Sequence, residues 1–390
     1  MHQGQFIFSQ FISLIKKYEF DKCVSKYNGN YRTKDFKCWS QYLCMVFGQL
    51  TYRESVSDII NCLNAHKDKA YHLGIKKVVS VSTLTRANEN RDWKIYRDFA
   101  HSLIILVRPL YVSDSEFTLD LDNTVYALDS STIDLCLSTF YWAKFRKNKG
   151  AVKMHTLLDL RGNIPVFIQI TDGKVHDVNI LDNIVFENGA FYMMDKAYID
   201  FERLFEMKES LAFFVVRAKR NFKYRRIYSN KVDKSTGLKY DQTIKLTGNK
   251  TKILYPDKLR KIKYYSKEKN KTYEFITNNF TLNALMITDL YKQRWQVELF
   301  FKWFKQHLKI KTFWGHSQNA VQTQIWIAVS VYLLVAYAKK ILKLDKTIYE
   351  ILQILSVSAF DKTPINQLLT ESDLHKTENS NCNQLKMFDL

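Results

Sequence analysis

Asp129 closes the apolar run Val125-Tyr126-Ala127-Leu128, and Asp195 closes Tyr192-Met193-Met194. Each carboxylate ends a stretch of branched, aromatic or apolar residues that reads as a buried strand. On neighbouring strands the two would face each other where the sheet opens to solvent, and like charges that close need a cation between them. Strand-end aspartates also serve as caps, so the pair by itself leaves both readings open. Tyr291, Arg294, Glu298 and Lys305 follow at offsets 0, 3, 7 and 14 on a segment expected to be one long helix from about Leu282 to Lys309. At 100° per residue they fall on one stripe within about 60° of each other, beside a packing face of Leu290, Val297, Phe301, Phe304 and Leu308. A third carboxylate held between Arg and Lys suits a phosphate-handling metal site; it is also the pattern of a surface ion-pair row.

The elements that must position these groups are legible as texture. Val125 to Ile133, Val152 to Leu158 and Pro165 to Thr171 read as strands, with Arg161-Gly162-Asn163 as a hairpin turn. Phe191 to Met194 and Leu211 to Val216 are two more, with helical stretches at Val178 to Phe186 and Phe201 to Lys208. A meander followed by strands alternating with helices predicts a mixed sheet flanked by helices, an α/β fold. Residues 218–275 interrupt the alternation as a strand-rich insertion. From Arg217 to Lys271 there are 19 basic and four acidic residues, interleaved with tyrosines, a composition that suits phosphates and unstacked bases. Arg217, Lys219 and Arg220 open this segment and are candidate DNA contacts.

The chain has 390 residues, more than the roughly 250–300 over which one core keeps growing, so at least two domains are expected. The expected boundaries are a helical N-terminal DNA-binding domain over 1–115, a catalytic domain over 116–345 containing the 218–275 insertion, a helical segment over 346–370 and a flexible tail over 371–390. Within the first, Ser80 caps a short helix displaying Thr85, Arg86, Asn88, Asn90 and Arg91, the form of a recognition helix, with Arg86 the candidate contact. Lys plus Arg outnumber Asp plus Glu by 59 to 39, which favours a polyanionic partner. Six scattered cysteines without a CxxC pair exclude zinc-finger and disulfide-framework readings. The longest apolar stretch, Ile325 to Ala338, reads as too short to span a bilayer, so a soluble, cytoplasmic, nucleoid-associated protein is expected.

Tyr291-x2-Arg294-x3-Glu298-x6-Lys305 resembles the Y-R-E-K signature of bacterial transposases of the insertion sequence four family. Asp129-Ser130-Ser131-Thr132-Ile133, Lys153-Met154-His155, His176-Asp177 and Asp195-Lys196-Ala197-Tyr198 are similar to the other blocks such enzymes carry on a ribonuclease H-like core. The resemblance implies that Asp129, Asp195 and Glu298 are catalytic and hold two Mg2+ ions, with Mn2+ as a substitute. It further implies that Tyr291, Arg294 and Lys305 contact DNA phosphates. The activity implied is cut-and-paste transposition: hydrolytic cleavage at terminal inverted repeats, then strand transfer into target DNA, by a homodimer on double-stranded DNA. Related enzymes support a flipped base on an indole of the insertion, whereas this chain has no Trp between Asp195 and Trp295. A ribonuclease H-like nuclease that cuts without joining and a catalytically inactive DNA-binding derivative are the alternatives.

The polar stretch after Glu371 ends in Gln384-Leu385-Lys386-Met387-Phe388. This resembles the glutamine-leucine-x-leucine-phenylalanine peptide that binds the replication sliding clamp, with Met387 as the departure, and makes the clamp a candidate partner.

Overall fold

A computed structural model describes residues 4–112, 121–146, 149–219 and 221–370. Arg220 and the Gln384–Phe388 peptide lie outside these residues. The chain forms two compact units, one of residues up to Leu110 together with those from Lys305 onward, the other Tyr111–Phe304.

The Tyr111–Phe304 unit is built on one ten-stranded sheet: β1 (Val125–Leu135), β2 (Lys144–Arg146), β3 (Lys149–Asp159), β4 (Ile164–Asp172), β5 (Phe191–Met194), β6 (Phe213–Arg217), β7 (Tyr224–Asn230), β8 (Leu238–Leu246), β9 (Lys258–Ser266) and β10 (Lys271–Thr277). β4 pairs with β3, β3 with β1, β1 with β5 and β5 with β6; the first two pairings are antiparallel and the last two parallel. This order, a three-strand meander joined through its first strand to two parallel strands, is the ribonuclease H-like arrangement. The hairpin turns through Asn163, whose φ of 55° lies in the left-handed region that Asn tolerates. Helical turns over Asp177–Asn183 and a helix over Phe201–Glu209 supply the crossovers between the parallel strands.

The insertion continues this same sheet. β6 pairs antiparallel with β10, and the order runs on through β9 and β8 to β7 at the edge. One core runs under both parts, from Leu128, Tyr192, Met194 and Phe214 to Ile244, Leu259 and Ile276. The β7 edge is exposed from Arg225 to Asn230, and its charges discourage pairing with another chain.

The predicted long helix is two helices, Ala284–Gln293 and Trp295–His307, with Arg294 between them. The backbone stays right-handed there, but the Arg294 N–H bonds to the Tyr291 carbonyl and the Val297 N–H to the Arg294 carbonyl, which tightens that turn. The predicted packing face holds, with Leu290, Val297, Phe301, Phe304 and Leu308 all buried.

The other unit is helical. Its centre is Gln318–Ile341, packed along Lys94–Val107 and against Cys38–Leu50 and Val81–Asn90. At 24 residues this helix is long and apolar enough to cross a membrane, contrary to the expectation from its shorter uninterrupted run, and 94% of its apolar window is covered by protein. Ser330 within it is bonded to the Ile327 carbonyl and the Tyr42 hydroxyl, so the polar group is satisfied inside the core.

Candidate active site

Parallel pairing of β1 with β5 ends at Leu128 and Met194. Asp129 and Asp195 are the next residues on each strand, so they are neighbours where that ladder stops. β1 runs on past Asp129 to Leu135, two residues beyond the expected end at Ile133, paired there with β3 alone. Its side chains are buried through Leu128 and partly open from Asp129 to Thr132, the stretch where the sheet meets solvent.

Arg294, at the helix break, donates from Nη1 to Asp129 Oδ2 at 2.9 Å and from Nη2 to Glu298 Oε1. A side chain 15% exposed thus bridges carboxylates 165 and four residues away in sequence. Burial pushes the Asp129 carboxyl above its ordinary range; Arg294 and the Ser130 N–H, which donates to Asp129 Oδ1 at 2.8 Å, oppose the shift, and Glu298 adds to it. Burial and the Asp195 carboxylate push the Tyr291 hydroxyl up to about 12. Lys305 lies on the last turn of the Trp295–His307 helix, half-buried.

Hydrogen bonds behind Asp129 join blocks that lie apart in sequence. Ser130 Oγ donates to Asp177 Oδ1 at 2.9 Å and Lys153 Nζ to the same oxygen at 3.1 Å and to the Val175 carbonyl at 2.8 Å. His155, fully buried on β3, shares a hydrogen with Thr171 Oγ1 at 2.8 Å and turns Nδ1 toward Asp177 at 3.8 Å. Burial pushes its imidazole down to about 4, against the pull of Asp177. Spacing alone gave these residues no roles; they support the strand that carries Asp129.

Beside Asp195 opens a cleft of about 340 Å³, lined among others by Arg217, Lys271, Tyr273, Tyr291, Arg294 and Trp295. Cations lie over aromatic faces throughout it: Arg217 over Tyr273 at 5.6 Å, Lys292 over Tyr264 at 5.5 Å, Lys269 over Trp295 at 5.9 Å. Of the basic residues singled out in sequence, Arg217 and Arg294 line the cleft. Lys219 is exposed and donates to the Ile199 carbonyl at 3.1 Å. The lining from Tyr264 to Tyr273 went unrecognised individually, because in sequence it is only part of a basic, tyrosine-rich stretch.

Residues 120–334 match the family described as transposase DDE domain, over half of the chain. This chain belongs to the DDE transposase family. Residues 3–76 match a domain of unknown function. A protein described as a transposase, y4zB of Sinorhizobium fredii, is 32% identical over 57% of this chain and 64% of its own length. A protein of Geobacillus stearothermophilus described as a transposase for the insertion sequence element IS5377 is 29% identical over 54% of this chain and 55% of its own. The chain therefore spans less than two thirds of either relative. The cryo-EM structure of the piggyBac transposase synaptic complex with hairpin DNA aligns at a TM-score of 0.45 and 12% identity, covering 98% of this chain and 86% of that one.

Divalent metal is general to DDE transposases, and the donor set at the site fits it. Three carboxylates and no thiol are hard oxygen donors of the kind Mg2+ takes. In the arrangement seen, Arg294 supplies the positive charge among them, and among the described residues no three His, Cys, Asp or Glu side chains are gathered about one point.

Proposed function

We propose that this transposase moves an insertion sequence by cut and paste, with Asp129, Asp195 and Glu298 as its catalytic carboxylates and the Y-R-E-K residues of an insertion sequence four enzyme at Tyr291, Arg294, Glu298 and Lys305. The observation that carries the reading is the bridge from Arg294 to Asp129 and Glu298, beside an Asp195 that follows the strand paired with β1. Asp129, Asp195 and Glu298 would hold Mg2+, or Mn2+ in its place. Ions held there would supply activation of water or a 3′-hydroxyl and charge stabilisation of the leaving oxygen.

The chain's own residues bind and orient the DNA. The cleft beside Asp195 offers cations to phosphates and aromatic faces to bases, with Arg217 and Lys271 at its wall. Tyr291, whose phenol stays protonated at neutral pH, can donate a hydrogen bond to a phosphate oxygen there. Lys305 serves the same strand from further along its helix. Lys219 extends the basic surface, and Arg220 beside it in sequence is a further candidate phosphate contact. The active form is a homodimer on two element ends, working in the bacterial cytoplasm, and the Gln384–Phe388 peptide tethers it to the replication clamp.

The test is incubation of the purified chain with Mg2+ and linear DNA carrying its own element ends. Joined products are expected; cut ends without joining would make it a nuclease, and no cutting with retained binding would make it an inactive derivative. Glu298→Gln, Asp129→Asn and Asp195→Asn should each abolish cleavage while leaving end binding largely intact, since losing a metal ligand adds no repulsion against phosphate. Full cleavage by any one variant removes that residue from the site.

A further inference from the structure

In the helical unit, the turn over residues 27–36 and the Val81–Asn90 helix enclose an open groove of about 650 Å³. Its charged lining is Arg32, Lys34, Arg86 and Arg91 against Asp92 alone, and Asp35 and Glu89 are absent from it. Asp92 is engaged, accepting from the Lys94 N–H at 2.9 Å.

Both walls are fixed before any ligand arrives. Asn30 Oδ1 accepts from the Cys38 N–H at 2.9 Å, and a Cβ on Gly29 would meet Ile95 at 2.4 Å, so the turn packs tightly at its base. Above that base, Arg32 sits at a φ of 50°, where non-glycine residues are uncommon and such strain gathers at functional positions. Its guanidinium lies 5.1 Å from the ring centroid of Tyr31, a tyrosine that is 70% exposed. The helix is held from behind. Leu84, Ala87 and Asn88 are buried, the Gln41 amide donates to Asn88 Oδ1 at 2.7 Å, and Asn319 donates to the carbonyls of Asn88 and Arg91. Arg91 is spent on Gln41 and the Phe36 carbonyl. This corrects the sequence expectation: Asn88 and Arg91 hold the helix, while Arg86 and Asn90 remain exposed.

We infer that this groove seats duplex DNA, with Arg32 and Lys34 of the turn holding backbone phosphates while Arg86 and Asn90 of the helix reach base edges. The assignment rests on the proposed reading of the chain as a DNA-cutting transposase and gives a role to the turn within residues 3–76, whose matched domain has no stated function. A fixed turn that offers cations and an aromatic face beside a rigid helix bearing Arg and Asn combines the two kinds of contact that position and specify.

The experiment measures binding of the full chain, without divalent metal so that the probe stays intact, to two labelled duplexes. One carries the terminal repeat flanking the gene; the other is a shuffled sequence of the same composition. Thermal melting of each variant shows that it is folded, and these exposed positions tolerate Gln. Arg32→Gln with Lys34→Gln should weaken both duplexes and lower the salt slope by about two units, near 0.9 per phosphate. Arg86→Gln should cut the preference for the repeat by about tenfold while leaving the shuffled duplex little changed. An unchanged slope and preference in folded variants, with the wild type binding the repeat, would overturn the groove assignment alone. Failure of the wild type to bind either duplex would overturn the transposase reading beneath it, and the groove with it.

Discussion

One guanidinium nitrogen of Arg294 reaches Asp129 and another reaches Glu298, so the planar fork spans two carboxylates with separate nitrogens. Arg294→Lys keeps the charge and loses the fork. The variant should lose about 1–3 kcal/mol in urea unfolding measured without divalent metal. Adding Mg2+ should then raise the stability of both proteins in proportion to the logarithm of its concentration, if the carboxylates take the ion. No Mg2+ effect on either would argue against an ion at these residues. His155 makes a separate statement through pH. Its pKa is about 4 in the fold against an ordinary 6.5, so below 6.5 the unfolded chain binds a proton that the native one refuses. Its contribution is therefore full above 6.5 and falls as the pH drops toward 4, by about 2 kcal/mol on going from neutral to about pH 5. His155→Gln should show a shallower loss over the same range, and equal slopes would assign the acid sensitivity elsewhere.

At the scale of elements, the insertion is tied to the signature helix by a buried ion pair. Arg260 on β9 meets Asp241 on β8 at 2.8 and 2.9 Å, both side chains 6% exposed. The same guanidinium donates to the carbonyls of Asn279 and Leu282, immediately before Asn283 caps the Ala284–Gln293 helix. The pair thereby fixes where that helix starts, and through it the approach to Arg294. Arg260→Met should cost about 3–5 kcal/mol, because Asp241 is left buried without its partner. Adding Asp241→Leu should recover much of that loss, and a double variant no more stable than the single one would show that the carbonyl contacts, rather than the ion pair, dominate. Denaturant midpoints of the three proteins decide it.

For the whole molecule, charge is concentrated in the insertion half of the sheet. Of the 19 basic residues from Arg217 to Lys271, Arg217 lies at the cleft wall and Arg225 and Arg226 lie on the exposed edge. Neutralising Arg217, Lys219, Arg225 and Arg226 together should weaken binding to DNA near the cleavage point and flatten its salt dependence by about one unit per lost phosphate contact. An unchanged slope would leave these charges a solubility role.

The sequence by itself determined the five strands β1 and β3 to β6 and the helical stretches beside them, because period-two and period-3.6 patterns are written in neighbouring residues: Phe191–Met194 matches its strand end for end, and the Leu290 to Leu308 face is buried as its spacing requires. It also marked Asp129, Asp195, Glu298 and Arg294, since a helical stripe and strand-end carboxylates are local features. Tertiary structure alone decided what those residues meet. The bridge from Arg294 to Asp129 crosses 165 positions, and the gathering of Lys153, His155 and Ser130 around Asp177 depends on which strands pair. The break at Arg294 left no Gly or Pro to announce it. Asn88 and Arg91 looked like displayed side chains because helical position does not reveal which neighbour covers a face, and here Gln41 and Phe36 do. Pairing partners come from distant segments that fit one another, and a one-dimensional pattern carries the period of each segment without naming the surface it will meet.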